Sequence, residues 1–316
     1  MKDLSKDGVQ WLEVGSEYAG QRIDNFLFRT LKGVPRSHIY RILRSGEVRA
    51  DSRRVDAAYK LKSGEKLRIP PIFVEKRVFS APARSFSVLL EDDALIAIDK
   101  PAGVAVHGGS GVSSGVIEQL RAARPEQRYL ELVHRLDRET SGILLIAKKR
   151  AALVGLHAQL RASAIDKRYL ALAFGRWRES RREINFPLTK FSGADNERRV
   201  MVTRDGLNAR TIFHLRERFA EFSLLEAELK TGRTHQIRVH LAHAGFPIAG
   251  DDKYGAFALN KRLQREGLKR MFLHAATIEF IHPLTEEVQR IAAPLPRELA
   301  TFLTRLRNDP HADPTL

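Results

Sequence analysis

Apolar residues recur at helical spacing near the start of the chain. "RIDNFLFRTL" puts Ile23, Phe26, Leu27 and Leu31 on one face, predicting a helix that Gly33 and Pro35 end. "HIYRILRSG" predicts a second helix, with Ile39, Ile42 and Leu43 inward, Ser37 as N-cap and Gly46 just past the end. Its opposite face carries His38, Arg41 and Arg44. "EVRADSRRV" and "EKLRIPP" read as short strands around the turn-like "KSGE", and Pro70 and Pro71 close the unit. Residues 72–87 hold no steady period and read as a linker. From Val88 strands dominate. "VLLEDDALIAIDK" predicts two strands around an acidic turn, "PAGVAVHGGSGVSSG" a Gly-rich loop, and "VIEQLRAARP" a helix that stops before Pro125. "RYLELVHRLDRETSGILLIAKKRAAL" predicts a strand, a polar loop and a strand, and "DKRYLALAFG" one further strand. In "ELKTGRTHQIRVHLAHAG" a turn leads into a helix with Ile237, Leu241 and Ala244 inward, Thr234 as N-cap and Gly245 after its end.

With 316 residues and 43% of them hydrophobic, the chain can bury a substantial core. No apolar run reaches the ~18 residues of a membrane span, and "MKDLSKDGVQWLEVG" lacks an apolar leader segment, so a cytoplasmic protein without membrane attachment is expected. The absence of cysteine removes disulfides, thiol nucleophiles and thiolate metal sites. A net charge of +16 points to a polyanionic partner, the bland alternative being an inert basic surface. Residues 20–71 carry thirteen Lys or Arg against five Asp or Glu, so half the excess sits in a sixth of the chain. Arginine beside a short sheet suits a phosphate backbone, which guanidinium groups bind bidentately.

Candidate chemistry centres on "LVHRLDRETSG", where Asp137 stands among His134, Arg135, Arg138 and Glu139 in a loop between apolar strands. Such loops carry reactive groups, yet an arbitrary loop aspartate more often caps a turn or pairs with a neighbour. The protein-kinase catalytic loop is a look-alike only, because Leu136 separates Arg135 from Asp137 and Gly142 replaces the metal-binding Asn. "HGGSGVSSG" lacks the Lys-Ser/Thr of a P-loop, and Ser114 occupies the third glycine's place of a dinucleotide fingerprint, so no nucleotide cofactor is expected. His235, His240 and His243 lack the i, i+4 spacing of a helical zinc site, and no metal is expected. Arg233 sits in the turn before a helix whose N-terminus favours an anion, and Lys167, Arg168 and Tyr169 open an apolar strand.

"GQRIDNFLFRTLKGVPRSHIYRILRSGEVRADSRRV" resembles the small αL RNA-binding domain named after ribosomal protein S-four. Beyond it, "HRLDRETSG", "DKRYLALAFG" and "LKTGRTHQIRVH", in that order, resemble the RluA-type pseudouridine synthases. The likeness runs from about Gly20 to Pro296 and takes in "KPAGVAVHGG", "RRVMVTRDGLNART", "GDDKYG" and "FLHA". Within the family, "HGGSG" and "GQRIDNFL" resemble the branch acting on large-subunit ribosomal RNA.

The resemblance implies an α+β fold: a mixed, mostly antiparallel sheet with a central RNA-binding cleft, behind an N-terminal αL domain. The expected organisation is an extension over 1–19, the αL domain over 20–71, a linker over 72–87, a catalytic domain over 88–308 and a tail over 309–316. It implies isomerisation of uridines in 23S rRNA of the large-subunit precursor, the alternative being other rRNA or tRNA sites, by a monomer with no cofactor. By position, Asp137 matches the family's nucleophile, Arg233 its basic partner, and Tyr169 the aromatic that stacks on the flipped base. Arg135 matches the residue that fills the vacated space. Lys167, Gln236 and Arg238 are expected as phosphate contacts or supports, and Arg36, Arg41 and Arg44 as RNA contacts. Two readings compete. A glycoside hydrolase needs a second positioned acid, and only Glu139 is near in sequence. A non-catalytic RNA chaperone would not require the Asp, Tyr and Arg loops together.

Overall fold

The computed structural model describes residues 8–31, 34–72, 82–108, 114–192 and 198–308. Gly33, most of the expected linker, the middle of the Gly-rich loop and the expected tail lie outside those residues. The chain divides into two compact units, 1–80 and 81–316.

In the first unit, α1 (Ile23–Thr30) and α2 (Arg36–Arg44) pack their apolar faces with a four-stranded sheet ordered β1 (Gln10–Glu13), β4 (Lys66–Ile69), β2 (Arg49–Ala50), β3 (Arg53–Arg54). The segment expected as one strand, "EVRADSRRV", is a hairpin turned at Asp51 and Ser52, both at positive φ. The sheet also begins earlier than the pattern suggests. Gln10–Glu13 pairs with Lys66–Ile69, and Val14 is buried with the unit's core, so residues expected as an extension complete it. Ser37 is not the N-cap of α2. Pro35 is, its φ of −56° pre-set for helix entry and its carbonyl accepting from the N–H of His38 and Ile39. Gly46 ends the helix at φ +74°, as expected.

The second unit is built on a ten-stranded mixed sheet. Its main path runs β10 (Arg181–Ile184), β13 (Thr211–Arg218), β14 (Phe222–Leu229), β9 (Asp166–Phe174), β15 (Leu273–Ile281), β8 (Ser141–Ala147), β6 (Leu95–Lys100), β5 (Ser87–Glu91). β16 (Val288–Ala292) pairs with β15 and β7 (Glu131–Leu132) with β8. All of these pairings are antiparallel except β8 with β15. Every residue of β8 is buried, which is why "SGILLIA" reads as a continuous apolar run and not as alternation. A separate hairpin, β11 (Leu188–Ser192) with β12 (Arg198–Val202), stands off the sheet. Among the described residues, five helices complete the unit: α3 (Val116–Ala123), α4 (Arg150–Arg161), α5 (Gln236–His243), α6 (Phe257–Arg265) and α7 (Arg297–Arg307). The α+β reading with a mostly antiparallel mixed sheet therefore holds.

The parallel β8–β15 seam fixes the geometry beside Asp137. Gly142 sits there at φ +105°, and a Cβ would lie 2.2 Å from the Ala275 carbonyl oxygen, so no side chain fits.

Candidate active site

Asp137 stands in the loop that joins β7 to β8, and several bonds hold that loop. Thr140 N–H donates to the Asp137 carbonyl at 3.2 Å. His134 Nε2 accepts from Leu145 N–H at 3.2 Å, and burial pushes that imidazole down to about 4, so it stays a neutral acceptor. Lys100, fully buried at the end of β6, donates from Nζ to the carbonyls of Pro101 (2.8 Å), Val104 (2.8 Å) and Arg138 (3.0 Å). Gly103 N–H reaches the same Arg138 carbonyl at 2.9 Å. The "KPAGV" segment is thus bolted to the peptide that follows Asp137. Burial pushes the Lys100 amine down to about 7.

The carboxylate itself is held from one side. Arg238 Nη1 lies 3.1 Å from Asp137 Oδ2, while its Nε and Nη2 make a bidentate pair with Asp251, both at 2.8 Å. Burial works against the Asp251 carboxylate, but Arg238 and the N–H groups of Lys253 and Tyr254 outweigh it and hold its pKa below the usual range. Tyr254 lies against the same guanidinium, 5.0 Å from its ring centre. Asp137 Oδ1 faces His235 Nε2 at 3.8 Å and has no hydrogen bond among the described residues.

Arg238, not Arg233, is therefore the cation on Asp137. Arg233 is exposed in the turn, where its Nε donates to the Asn208 carbonyl at 3.0 Å. The reason is helical geometry: Arg238 is the third residue of α5 and lies on the buried face, whereas Arg233 precedes the helix. Thr234 is not the N-cap either. His235 holds that position in the left-handed region (φ +54°), and no side chain caps the helix. Gln236 closes the turn, its Oε1 accepting from Arg233 N–H and Thr231 Oγ1 and its Nε2 donating to the Arg210 carbonyl and Thr211 Oγ1. Gln236 is a buried support.

Tyr169 is buried on β9, flanked across the strands by Ala227 and Ala275, two small residues that crowd it little. Burial, then the negative charge of Asp137, raise its phenol well above the usual range, so it carries its proton near neutral pH. Lys167 lies two residues earlier on the same face and is also buried, with its amine lowered by burial. Arg135 is exposed in the Asp137 loop. Arg36, Arg41 and Arg44 are exposed on α2 in the N-terminal unit; Arg36 stacks 4.9 Å over Phe28, and Arg41 lies 3.6 Å from Glu47.

The three histidines of "THQIRVHLAHAG" go to separate tasks. His235 Nδ1 bonds Tyr254 Oη at 2.8 Å, His240 bonds Thr211 Oγ1 and the Phe186 carbonyl, and His243 packs edge-on to Phe186. Among the described residues no cluster of three or more His, Asp or Glu is placed to hold a metal ion. Sequence reasoning gave no role to Lys100, His235, Asp251 or Tyr254. Their signal was faint but present: "KPAGVAVHGG" and "GDDKYG" stand among the matched motifs, and a lysine closing an apolar strand has to find acceptors.

The chain is similar to known proteins over most of its length. The sequence pattern described as RNA pseudouridylate synthase matches residues 94–243, and that of the S4 domain matches 21–67. The ribosomal large subunit pseudouridine synthase C of Yersinia pestis is 50% identical over 309 residues, covering 95% of this chain and 97% of that protein. The protein of the same name from Escherichia coli strain K12 is 50% identical over 310 residues, with the same coverage. Among solved structures, human RNA pseudouridylate synthase domain containing 4 covers 70% of this chain and 93% of its own at a TM-score of 0.58 and 25% identity. Human RNA pseudouridylate synthase domain containing 1, at 24% identity, shares the fold, with a TM-score of 0.55 over 72% of this chain and 97% of its own. Half-identical to such relatives over nearly its whole length, and carrying an S4 domain ahead of the catalytic motifs, the chain belongs to the RluA-type family of RNA pseudouridylate synthases.

Proposed function

We propose that this chain isomerises specific uridines of 23S rRNA to pseudouridine, with Asp137 as the reacting carboxylate. The observation that carries the site assignment is the pairing of Asp137 with Arg238, which leaves Oδ1 without a hydrogen bond among the described residues and within electrostatic reach of the Tyr169 phenol. The substrate assignment rests on relatives named for the ribosomal large subunit. The N1–C1′ bond breaks, the uracil turns and a C5–C1′ bond forms. The proton lost from C5 is balanced by the one gained at N1, so the net reaction needs no electron donor and no group carrier. A carboxylate suits it, because it can attack carbon or assist proton removal. The target must leave its stack, which costs a few kcal/mol; Tyr169 offers the base a face, and Arg135 takes the place the base vacates. Arg233, exposed beside the α5 N-terminus, and Lys167 serve the phosphates and the walls of the pocket. Arg36, Arg41 and Arg44 supply phosphate contacts from the S4 domain. The enzyme acts as a monomer in the cytoplasm, on large-subunit precursor RNA.

Asp137→Ala tests the assignment. Tritium release from 5-³H-uridine-labelled large-subunit rRNA should vanish while binding to the same RNA persists. Turnover near wild type would remove Asp137 from the chemistry.

A further inference from the structure

The His235 side chain neither caps α5 nor takes part in the pairing of Asp137 with Arg238, yet its backbone and side chain are both specified. Its φ of +54° is uncommon for a residue with a Cβ, and it stands at the helix entrance without capping the helix. Its carbonyl accepts the first helical bond, from Val239 N–H at 2.9 Å. This conformation turns the chain sharply into α5 and leaves the imidazole between Tyr254 and Asp137. The rings of His235 and Tyr254 meet edge to face at 5.5 Å.

The hydrogen bonds favour one tautomer. Tyr254 Oη accepts from Val200 N–H at 3.0 Å, and burial, first among the influences on it, raises the phenol's pKa, so it keeps its proton. That proton has one acceptor among the described residues, His235 Nδ1 at 2.8 Å. With Nδ1 accepting, Nε2 carries the hydrogen, and Nε2 faces Asp137 Oδ1 at 3.8 Å. Burial lowers the imidazole's pKa against the pull of Asp137, which keeps His235 neutral. The two oxygens of Asp137 are therefore treated differently. Arg238 fixes Oδ2 by a charged hydrogen bond, whereas Oδ1 meets a neutral N–H just beyond hydrogen-bond reach.

We propose that His235, locked by Tyr254 as the Nε2–H tautomer, is a positioning residue that sets the rotation of the Asp137 carboxylate and marks Oδ1 as its reacting oxygen. A cation or a short hydrogen bond would tie up the lone pair that has to react. At 3.8 Å the dipole of a neutral N–H attracts the oxygen without a hydrogen bond, and so leaves the lone pair available. The assignment rests on Asp137 being the reacting carboxylate.

Two substitutions and one spectrum test it in the full-length protein. The amide nitrogen of Gln reaches where Nε2 lies, and an Asn amide reaches only where Nδ1 lies. Asn tolerates the left-handed region better than His or Gln does. A purely backbone role therefore favours His235→Asn, and the proposed role favours His235→Gln. On tritium-labelled large-subunit rRNA, His235→Asn should lose about 10- to 100-fold in kcat with thermal stability unchanged or raised, as a misplaced reacting group does. KM should stay within about twofold, and His235→Gln should recover to within about fivefold of wild type despite a lower Tm. ¹⁵N NMR of imidazole-labelled protein, with His235→Asn to assign the signal, should show Nδ1 unprotonated and Nε2 protonated. Wild-type kcat in His235→Asn, a greater loss in His235→Gln than in His235→Asn, or an Nδ1–H tautomer would each overturn the proposal. Asp137→Ala, run alongside, separates the two levels. If it stays active, the role of Asp137 falls and that of His235 with it; if it is dead while His235→Asn turns over normally, only the His235 assignment falls.

Discussion

One guanidinium serves two carboxylates: Arg238 gives two hydrogen bonds to Asp251 and one to Asp137, and that division sets how the site responds to substitution. Removing Arg238 takes the cation from Asp137 and strands Asp251, which is almost wholly buried. Arg238→Ala should lower kcat about 100-fold or more, as loss of a preorganised charge does. It should also destabilise the fold by about 3–5 kcal/mol, since breaking a buried pair leaves a charge uncompensated. Arg238→Lys should recover little, because an ammonium cannot span both carboxylates with fixed geometry. Arg233→Ala should behave differently, keeping kcat and stability while weakening RNA affinity about as one phosphate contact would. Steady-state kinetics with urea melts of the three variants check this; an inactive Arg233→Ala beside a working Arg238→Ala would invert the assignment. The sequence pointed to Arg233, and the structure puts Arg238 on Asp137 instead. Both lie in "TGRTHQIRVH", and the choice depends on which helix face meets a loop 101 residues earlier in the chain.

At the scale of elements, Glu91 at the end of β5 joins three parts of the second unit. It accepts from Arg124 just after α3 at 2.6 Å and from Lys148 just after β8 at 2.9 Å. Arg124 first, and Lys148 against the cost of burial, pull its pKa down to about 2 from 4.5. A carboxylate depressed in the folded state adds stability that is complete above its unfolded pKa and is lost as pH falls toward the folded value. The contribution should therefore be whole at pH 6 and fade between pH 4.5 and about 2. Glu91→Gln should cost about 1 kcal/mol near neutral pH, as partly exposed pairs do, and the gap to wild type should close with acid in urea melts. A gap independent of pH would show that packing, not charge, is at work. Much of this element layer was legible: amphipathic faces announced α1 and α2, and glycines at positive φ ended α2 and α5. Strand order was not, because the fully buried run of β8 and the almost fully buried run of its neighbour β6 carry no register of their own. The caps were misplaced for a related reason. Ser37 and Thr234 suit capping in isolation, but a proline and a left-handed histidine already enter the helices.

Across the whole molecule, charge is uneven in a way that separates affinity from chemistry. The net +16 would bind any polyanion, yet half of it falls within residues 20–71, in the unit that does not contain Asp137. Arg36, Arg41 and Arg44 stand exposed on α2 within that segment. Each phosphate neutralised releases about 0.7 to 0.9 of a counterion, so three contacts should appear as a slope of about 2 in log affinity against log salt. Replacing all three by alanine should flatten that slope by about 2 and raise KM at low salt, while kcat at saturating RNA changes less than about twofold. Deleting residues 1–80 along the unit boundary should go further in the same direction and leave the chemistry on a large-subunit RNA fragment intact. Filter binding between about 50 and 200 mM salt, paired with tritium release, measures both quantities on the same RNA. An unchanged slope would show that the affinity comes from elsewhere on the basic surface. A collapse of kcat would show that the S4 domain takes part in forming the reactive pocket.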